Sequence, residues 1–284
     1  MLTALVGGRL LDPAQGLDQE GTLVIENGLI KDIIFSVPPA QAHVIDVSGH
    51  LVAPGFIDLS CRPGSISAHS LASLGAAAVS GGFTGVTILP DTRPPLTDSL
   101  RLVGIMALAQ NNCSAHLYPL GAISHNLEGQ HLADMGSLVQ AGACAFSDGY
   151  RWPVNSQLLF LALKYAGAFE RPLFIHSEDP TLAAGGLMRE SPASTRLGLP
   201  AIPAVAEEVA VARDLLLAQA TGGSLHFIHL STAKAVALLS QVQKLGAPVT
   251  GAVPVAHLLL TCDDIEDYNT NFKLTPPLGG QKDQ

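Results

Sequence analysis

"TGGSLHFIHLSTAKAVALLSQVQKLG", Thr221 to Gly246, decides how the rest of the chain is read. An apolar run, Leu225–Ile228, closes on the polar cluster His229–Thr232. An Ala/Leu-rich stretch follows and stops at Gly246. A short apolar run with a polar end predicts a buried strand, and the stretch after it predicts a helix with glycine past its last turn.

The same unit recurs upstream. "GFIDL", "TGVTILP", "HLYPLGAIS", "ACAFSD", "PLFIHSED" and "PVTGAVP" read as further strands. Helical stretches such as "SLRLVGIMALAQNN", "NSQLLFLALKYAGAF" and "PAVAEEVAVARDLLLAQATGG" lie between them. Strands alternating with helices predict a parallel sheet covered by helices. Polar groups at the strands' C-terminal ends favour a (β/α)8 TIM-type barrel over a doubly wound sheet, because barrel active sites sit at that face. Seven such strands are readable and the eighth is missing, so the barrel, residues 53–284, is expected to be C-terminally incomplete. Residues 1–52 differ. Short alternating runs broken by Gly7-Gly8, Asn27-Gly28 and Ser48-Gly49 predict a small β-sheet domain, with Asn27-Gly28 as a hairpin turn.

Composition excludes several functions. Of 284 residues, 48% are hydrophobic and 14% charged, which suits a large packed core. Basic residues number 15 against 24 acidic, net −9, with no Lys/Arg cluster, so neither nucleic acid nor an anionic membrane is an expected partner. Cys61, Cys113, Cys144 and Cys262 form no C-x-x-C pair. Scattered thiols, without a basic-then-apolar leader, point to a reducing cytoplasm.

Strand ends carry the candidate chemistry. Asp58, Asp91, Asp148, His176, His229 and His257 all fall at such ends, and Asp148, His176 and His229 are expected to converge on the barrel mouth. Imidazole and carboxylate suit zinc. A lone histidine near an apolar strand is commonly a packed, hydrogen-bonded residue; two at matching ends of successive strands weigh toward a present or former site. His226, earlier on its strand, is read as structural and deeper in the barrel. His43, His50, His69, His116, His125 and His131 have no convergent partners in the sequence and read as surface or packing residues. No G-x-S-x-G, H-E-x-x-H or P-loop occurs.

Several segments in order resemble the dihydroorotases of the amidohydrolase superfamily: "LVAPGFIDL", "AVSGGFTGVTILPDTRPPLTD", "GQHLADMGSLVQAGACAFSDG", "RPLFIHSEDPTL", the long run from Leu199 to Val236, and "FKLTPPLGGQKDQ". The resemblance implies metal ligands at His176 and His229, a carboxylate at Asp148, and substrate-binding roles for Arg62, Asp91 and His257. The departures from the family pattern are equally specific. Where the family has a strand-one His-x-His, this chain has Leu59-Ser60-Cys61. Asp91 replaces a substrate-binding Asn, Gly149 an Asp, Thr275 an Asn and Gly279 an Arg. Thiolate ligation by Cys61 is the weak route to a repaired site. The chain most resembles the inactive dihydroorotase-like subunit that bridges catalytic trimers of aspartate transcarbamoylase. On that likeness no cofactor is expected, Asp148, His176 and His229 are vestigial ligands, and the protein is an oligomeric scaffold. The alternatives are an active zinc-dependent cyclic amidohydrolase, and a binding protein for a carbamoyl or pyrimidine metabolite.

Overall fold

A computed structural model describes all 284 residues, Met1–Gln284. The chain divides into two compact units, Met1–Phe56 and Ile57–Gln284. In the first, β1 (Leu2–Asp12), β2 (Leu17–Glu26), β3 (Leu29–Ile34), β4 (His43–Asp46) and β5 (Leu51–Val52) form one mixed sheet. β1–β2–β3 pair antiparallel, while β4 and β5 pair with β1 in parallel. The expected Asn27-Gly28 turn joins β2 to β3, and both residues have positive φ, as a tight hairpin turn requires.

The second unit is the predicted curled parallel sheet. Its strands are β6 (Phe56–Cys61), β7 (Phe83–Ile88), β8 (His116–Ala122), β9 (Ala145–Ser147), β10 (Leu173–Ile175), β13 (Leu225–Phe227) and β14 (Val249–Gly251). They lie in the order β14-β13-β10-β9-β8-β7-β6, and each of the seven coincides with a strand read from the sequence. The short β11 (Met188–Arg189) and β12 (Ala201–Ile202) pair separately between β10 and β13 and were not anticipated.

Helices follow the strands: α1 (Ala68–Ser80), α2 (Ser99–Asn112), α3 (Met135–Gln140), α4 (Ser156–Gly167), α5 (Pro192–Leu197), α6 (Val205–Thr221), α7 (Ala233–Lys244) and α8 (Ala256–Leu259). Side chains of Ser67, Asp98, Asp134, Asn155, Ser191 and Thr232 cap six of them by accepting first-turn N–H groups. α6 ends at Gly222, whose left-handed backbone (φ 68°) explains the glycine there. No helix is long and apolar enough to cross a membrane.

Strand alternation separates two apolar layers. Leu173, Ile175, Leu225 and Phe227 point to the helices α4, α6 and α7. Phe174, with Leu89, Leu120, Ala145 and Ile228, fills the concave side. Of the barrel's titratable groups, those just past the strands' C-terminal ends therefore sit where the apolar filling stops.

Candidate functional site

His176 follows β10 directly, and His229 lies two residues past the end of β13. Both are buried, and their ring centroids are 5.7 Å apart, edge to face. Burial holds His176 down to about 3, with the neighbouring His229 adding to the effect, and holds His229 down to about 4. Both are therefore neutral imidazoles at neutral pH. The sequence expectation that these two meet is met.

Three groups close around them. The Ser60 hydroxyl lies 3.0 Å from His229 Nε2. The Tyr150 hydroxyl faces the same nitrogen at 3.5 Å. The Tyr150 ring stacks on His229 (centroids 5.0 Å, 26°) and tilts against His176 at the same distance. Nδ1 of each histidine is buried without a hydrogen-bond partner. A neutral imidazole always presents one N–H and one lone pair. Whichever nitrogen of His229 carries the hydrogen, one polar group stays unmatched.

Arg62 lies over the Tyr150 ring, its guanidinium carbon 5.0 Å from the ring centroid. Its Nε is 2.7 Å from Asp91 Oδ2. Arg62 is half-exposed while the Asp91 side chain is only 8% exposed, so the pair runs from the cleft wall inward. Asp91 lies directly over Gly149: a Cβ at position 149 would collide with the Asp91 carboxylate carbon, and Gly149 has φ of 67°. The resemblance gave Asp91 the place of a substrate-binding Asn. Its actual partner is Arg62, and the Gly149 departure is what gives it room.

Asp148 does not join the histidines as an open ligand. Its carboxylate accepts from the Ile123 N–H, the Ser124 N–H (both 2.9 Å) and the Ser124 hydroxyl (2.5 Å). Three of the carboxylate's roughly four lone-pair sites are thus taken up by the loop after β8, while ring contact joins only the two histidines. Burial raises the Asp148 pKa, and these hydrogen bonds oppose the rise. Cys61 packs with Leu71 and Val86 behind the sheet, and burial, then Asp58, push its thiol up to about 12. Without a cation beside it, it stays a protonated thiol. Asp58 accepts the Ser60 N–H at 2.9 Å and so fixes the backbone that aims Ser60.

No three His, Cys, Asp or Glu side chains are placed to hold one ion. A catalytic zinc takes three protein ligands and leaves one position open. Two imidazoles, one of them already facing two hydroxyls, do not fit that requirement.

Beside this cluster runs a cleft of about 540 Å³, lined by Arg62, Tyr150, His229, His257, Lys273 and Thr275 among others. His257 is buried, burial lowers its pKa, and neither ring nitrogen has a well-aligned hydrogen bond, although the carbonyls of Pro276 and Pro277 lie close enough to oppose the shift. At Gly279 there is no room for a longer side chain: a Cβ there would stand 2.9 Å from Asp283 Cβ and 3.1 Å from the Ser231 carbonyl oxygen.

Two polar networks hold the walls. Glu207, 3% exposed, accepts from the backbone N–H and hydroxyl groups of both Ser231 and Thr232. Buried Arg189 donates to the Ser231 hydroxyl at 2.6 Å and stands 3.8 Å from Glu207. Asp214, fully buried, accepts from Trp152 Nε1 (2.9 Å), the Ser177 hydroxyl (2.8 Å) and Arg213 (2.8 Å). Tyr150 and both networks escaped the sequence reading. A tyrosine directly after Gly149, where the family pattern already breaks, was the available signal for the first.

Comparison with known proteins places the chain. The Dihydro-orotase-like family pattern matches residues 49–235. The dihydroorotase of Syntrophus aciditrophicus (strain SB) is 40% identical over 288 residues, covering 100% of this chain and 68% of that protein. The dihydroorotase of Anaeromyxobacter sp. (strain K) is 42% identical over 283 residues, covering 98% and 65%. This chain belongs to the dihydroorotase-like family. It spans about two thirds of the length of these relatives. Among solved structures, the L-hydantoinase (dihydropyrimidinase) from Arthrobacter aurescens superposes with a TM-score of 0.83 at 23% identity, over 100% of this chain and 65% of that one. A D-hydantoinase structure gives 0.78 at 19%, over 100% and 65%. At such identities the likeness concerns the fold, and it agrees with an amidohydrolase-type barrel and a separate β-sheet unit.

Proposed function

We propose that this chain is a non-catalytic dihydroorotase-like protein of pyrimidine biosynthesis, acting as a structural subunit for aspartate transcarbamoylase. The observation that carries the non-catalytic part is the environment of His229. A serine hydroxyl and a tyrosine hydroxyl meet its Nε2, and the imidazole in ring contact with it, His176, is packed against the same tyrosine. Dihydroorotase chemistry needs a metal-activated water, and the residues present do not assemble a site for that metal. The partner rests on the sequence resemblance alone, since fold does not imply function.

A second reading is favoured by a specific finding: relatives 40–42% identical across the whole chain bear the name dihydroorotase. On that reading the chain is a zinc-dependent cyclic amidohydrolase using His176 and His229, with Asp148 and Cys61 rearranged toward the ion. One experiment separates the two. The purified protein is analysed for zinc, assayed with dihydroorotate, and passed over a sizing column with and without the transcarbamoylase catalytic subunit. We expect well under one zinc per chain, no turnover, and co-elution. Stoichiometric zinc with turnover sinks the first reading, and separate elution sinks the scaffolding part of it.

A further inference from the structure

We infer that Tyr150 is a plug: its side chain stands in for a metal ion, fixing the two strand-end histidines and occupying the space an ion between them would need. The inference rests on the non-catalytic reading and goes further, assigning the exclusion of metal to one side chain.

A connected set of contacts carries it. Tyr150 is the one residue in ring contact with both His176 and His229, at 5.0 Å from each. Its hydroxyl is directed at His229 Nε2, a nitrogen that a bound ion would have to share. Arg62 also lies over its ring and is in turn tied to Asp91. Asp91 has its place because position 149 lacks a side chain. Ser60, the strand-one residue nearest the pair, adds a hydroxyl at 3.0 Å from the same Nε2. The chain is thus continuous: Gly149 makes room for Asp91, Asp91 positions Arg62, Arg62 backs Tyr150, and Tyr150 with Ser60 fills the histidine site.

The physical logic is satisfaction of buried polar groups. Two buried imidazoles without an ion leave nitrogens unmatched, which is unfavourable. Aromatic packing and a hydroxyl offset part of that cost at His229 without charge. Removing the ring alone should not create a metal site, because the donors still number two. Supplying a third imidazole at position 60 should create one only when the ring is gone.

The test is cobalt(II) titration followed by visible absorption, on four proteins: wild type, Ser60→His, Ser60→His/Tyr150→Gly, and that pair with His229→Ala. We expect no stoichiometric binding to wild type. We expect one equivalent with a tetrahedral spectrum for the pair, binding at least about tenfold weaker for Ser60→His with the tyrosine present, and loss of binding with His229→Ala. Equal affinity of Ser60→His and the pair overturns the plug while leaving the non-catalytic reading intact. Stoichiometric binding to wild type, abolished by His229→Ala, overturns both. A folded pair that binds nothing also overturns the plug. Should the glycine variant not fold, the melting temperature of wild type with and without chelator decides: it should not move, and a drop on chelation overturns the inference.

Discussion

Two sets of buried polar side chains sit in the same barrel wall and differ in completeness. Glu207 and Asp214 have their carboxylate oxygens engaged by hydroxyls, backbone N–H groups, an indole and guanidinium groups. His176, His229 and His257 are as deeply buried, yet each has at least one nitrogen with no partner. His226 is intermediate, with Nδ1 2.8 Å from the Thr250 hydroxyl and Nε2 unmatched. Arg189, beside Glu207, keeps Nε and Nη1 without partners, so the contrast holds for the carboxylates and not for every member of their networks. Both carboxylates are met by donors from within the fold, whereas the strand-end imidazoles leave nitrogens unmatched. Burial therefore does not distinguish framework from site in this barrel. Whether the central group is matched does.

Substitutions can break that contrast, and the largest effect should come from the framework. Glu207→Ala removes the acceptor for Ser231 and Thr232 and leaves the Arg189 charge buried without its counter-ion. A loss of about 3–5 kcal/mol in urea unfolding is expected. A loss below about 1 kcal/mol would show that the network is not holding the wall.

Gly149→Ala should cost about 2–3 kcal/mol, because a Cβ there meets Asp91 and the backbone is left-handed. Combining it with Asp91→Gly should recover the steric part but not the backbone part. Double-mutant cycles in thermal unfolding measure the coupling, and strict additivity would separate the two positions.

The half-matched His226 should show in pH dependence. Burial holds its folded pKa down to about 4, against about 6.5 when unfolded. Below pH 6.5 the unfolded chain takes up a proton that the folded chain refuses until pH 4. Stability contributed by the neutral ring is thus lost as pH falls through that window, by up to about 1.4 kcal/mol per pH unit. Asp148 and Asp214, raised by burial, act in the opposite sense. The readable quantity is accordingly the difference between wild type and His226→Phe, whose stability curve should be flatter between pH 6.5 and 4. Parallel curves would contradict the assignment.

The smallest effect is expected at the site itself. His176→Leu exchanges a ring with an unmatched nitrogen for an apolar side chain, and stability should change by less than about 1 kcal/mol. A loss several times larger would mean that the histidine has a partner in solution, which a bound ion would supply.

The sequence carried the architecture further than the site. Each of the seven strands was legible because an apolar run, a polar end and a helix recur with little interruption, and the capping residues mark where helices begin. β11 and β12 were invisible, since two-residue strands carry no period. In the site, position along a strand identified His176 and His229, because strand ends converge by topology. It could not foresee the hydrogen bonds of Asp148 to the loop after β8, because a carboxylate just past a strand end can turn back onto a neighbouring loop, as the Ser124 hydroxyl makes it do here. Arg62 and Asp91 were each recognised, but not their pairing. They lie 29 positions apart in the sequence, and only the collision-free backbone at Gly149 brings the carboxylate within reach.

On the proposed non-catalytic reading, that glycine also sets a direction in time. A side chain cannot return to position 149 until Asp91 has gone, and losing Asp91 alone would strand Arg62 over Tyr150 without its counter-ion. An imidazole at position 60 meets a ring already in place. Each step back toward a metal centre begins from a worse arrangement than the one it leaves. The barrel mouth works as a ratchet, and reversing it requires several residues to change together.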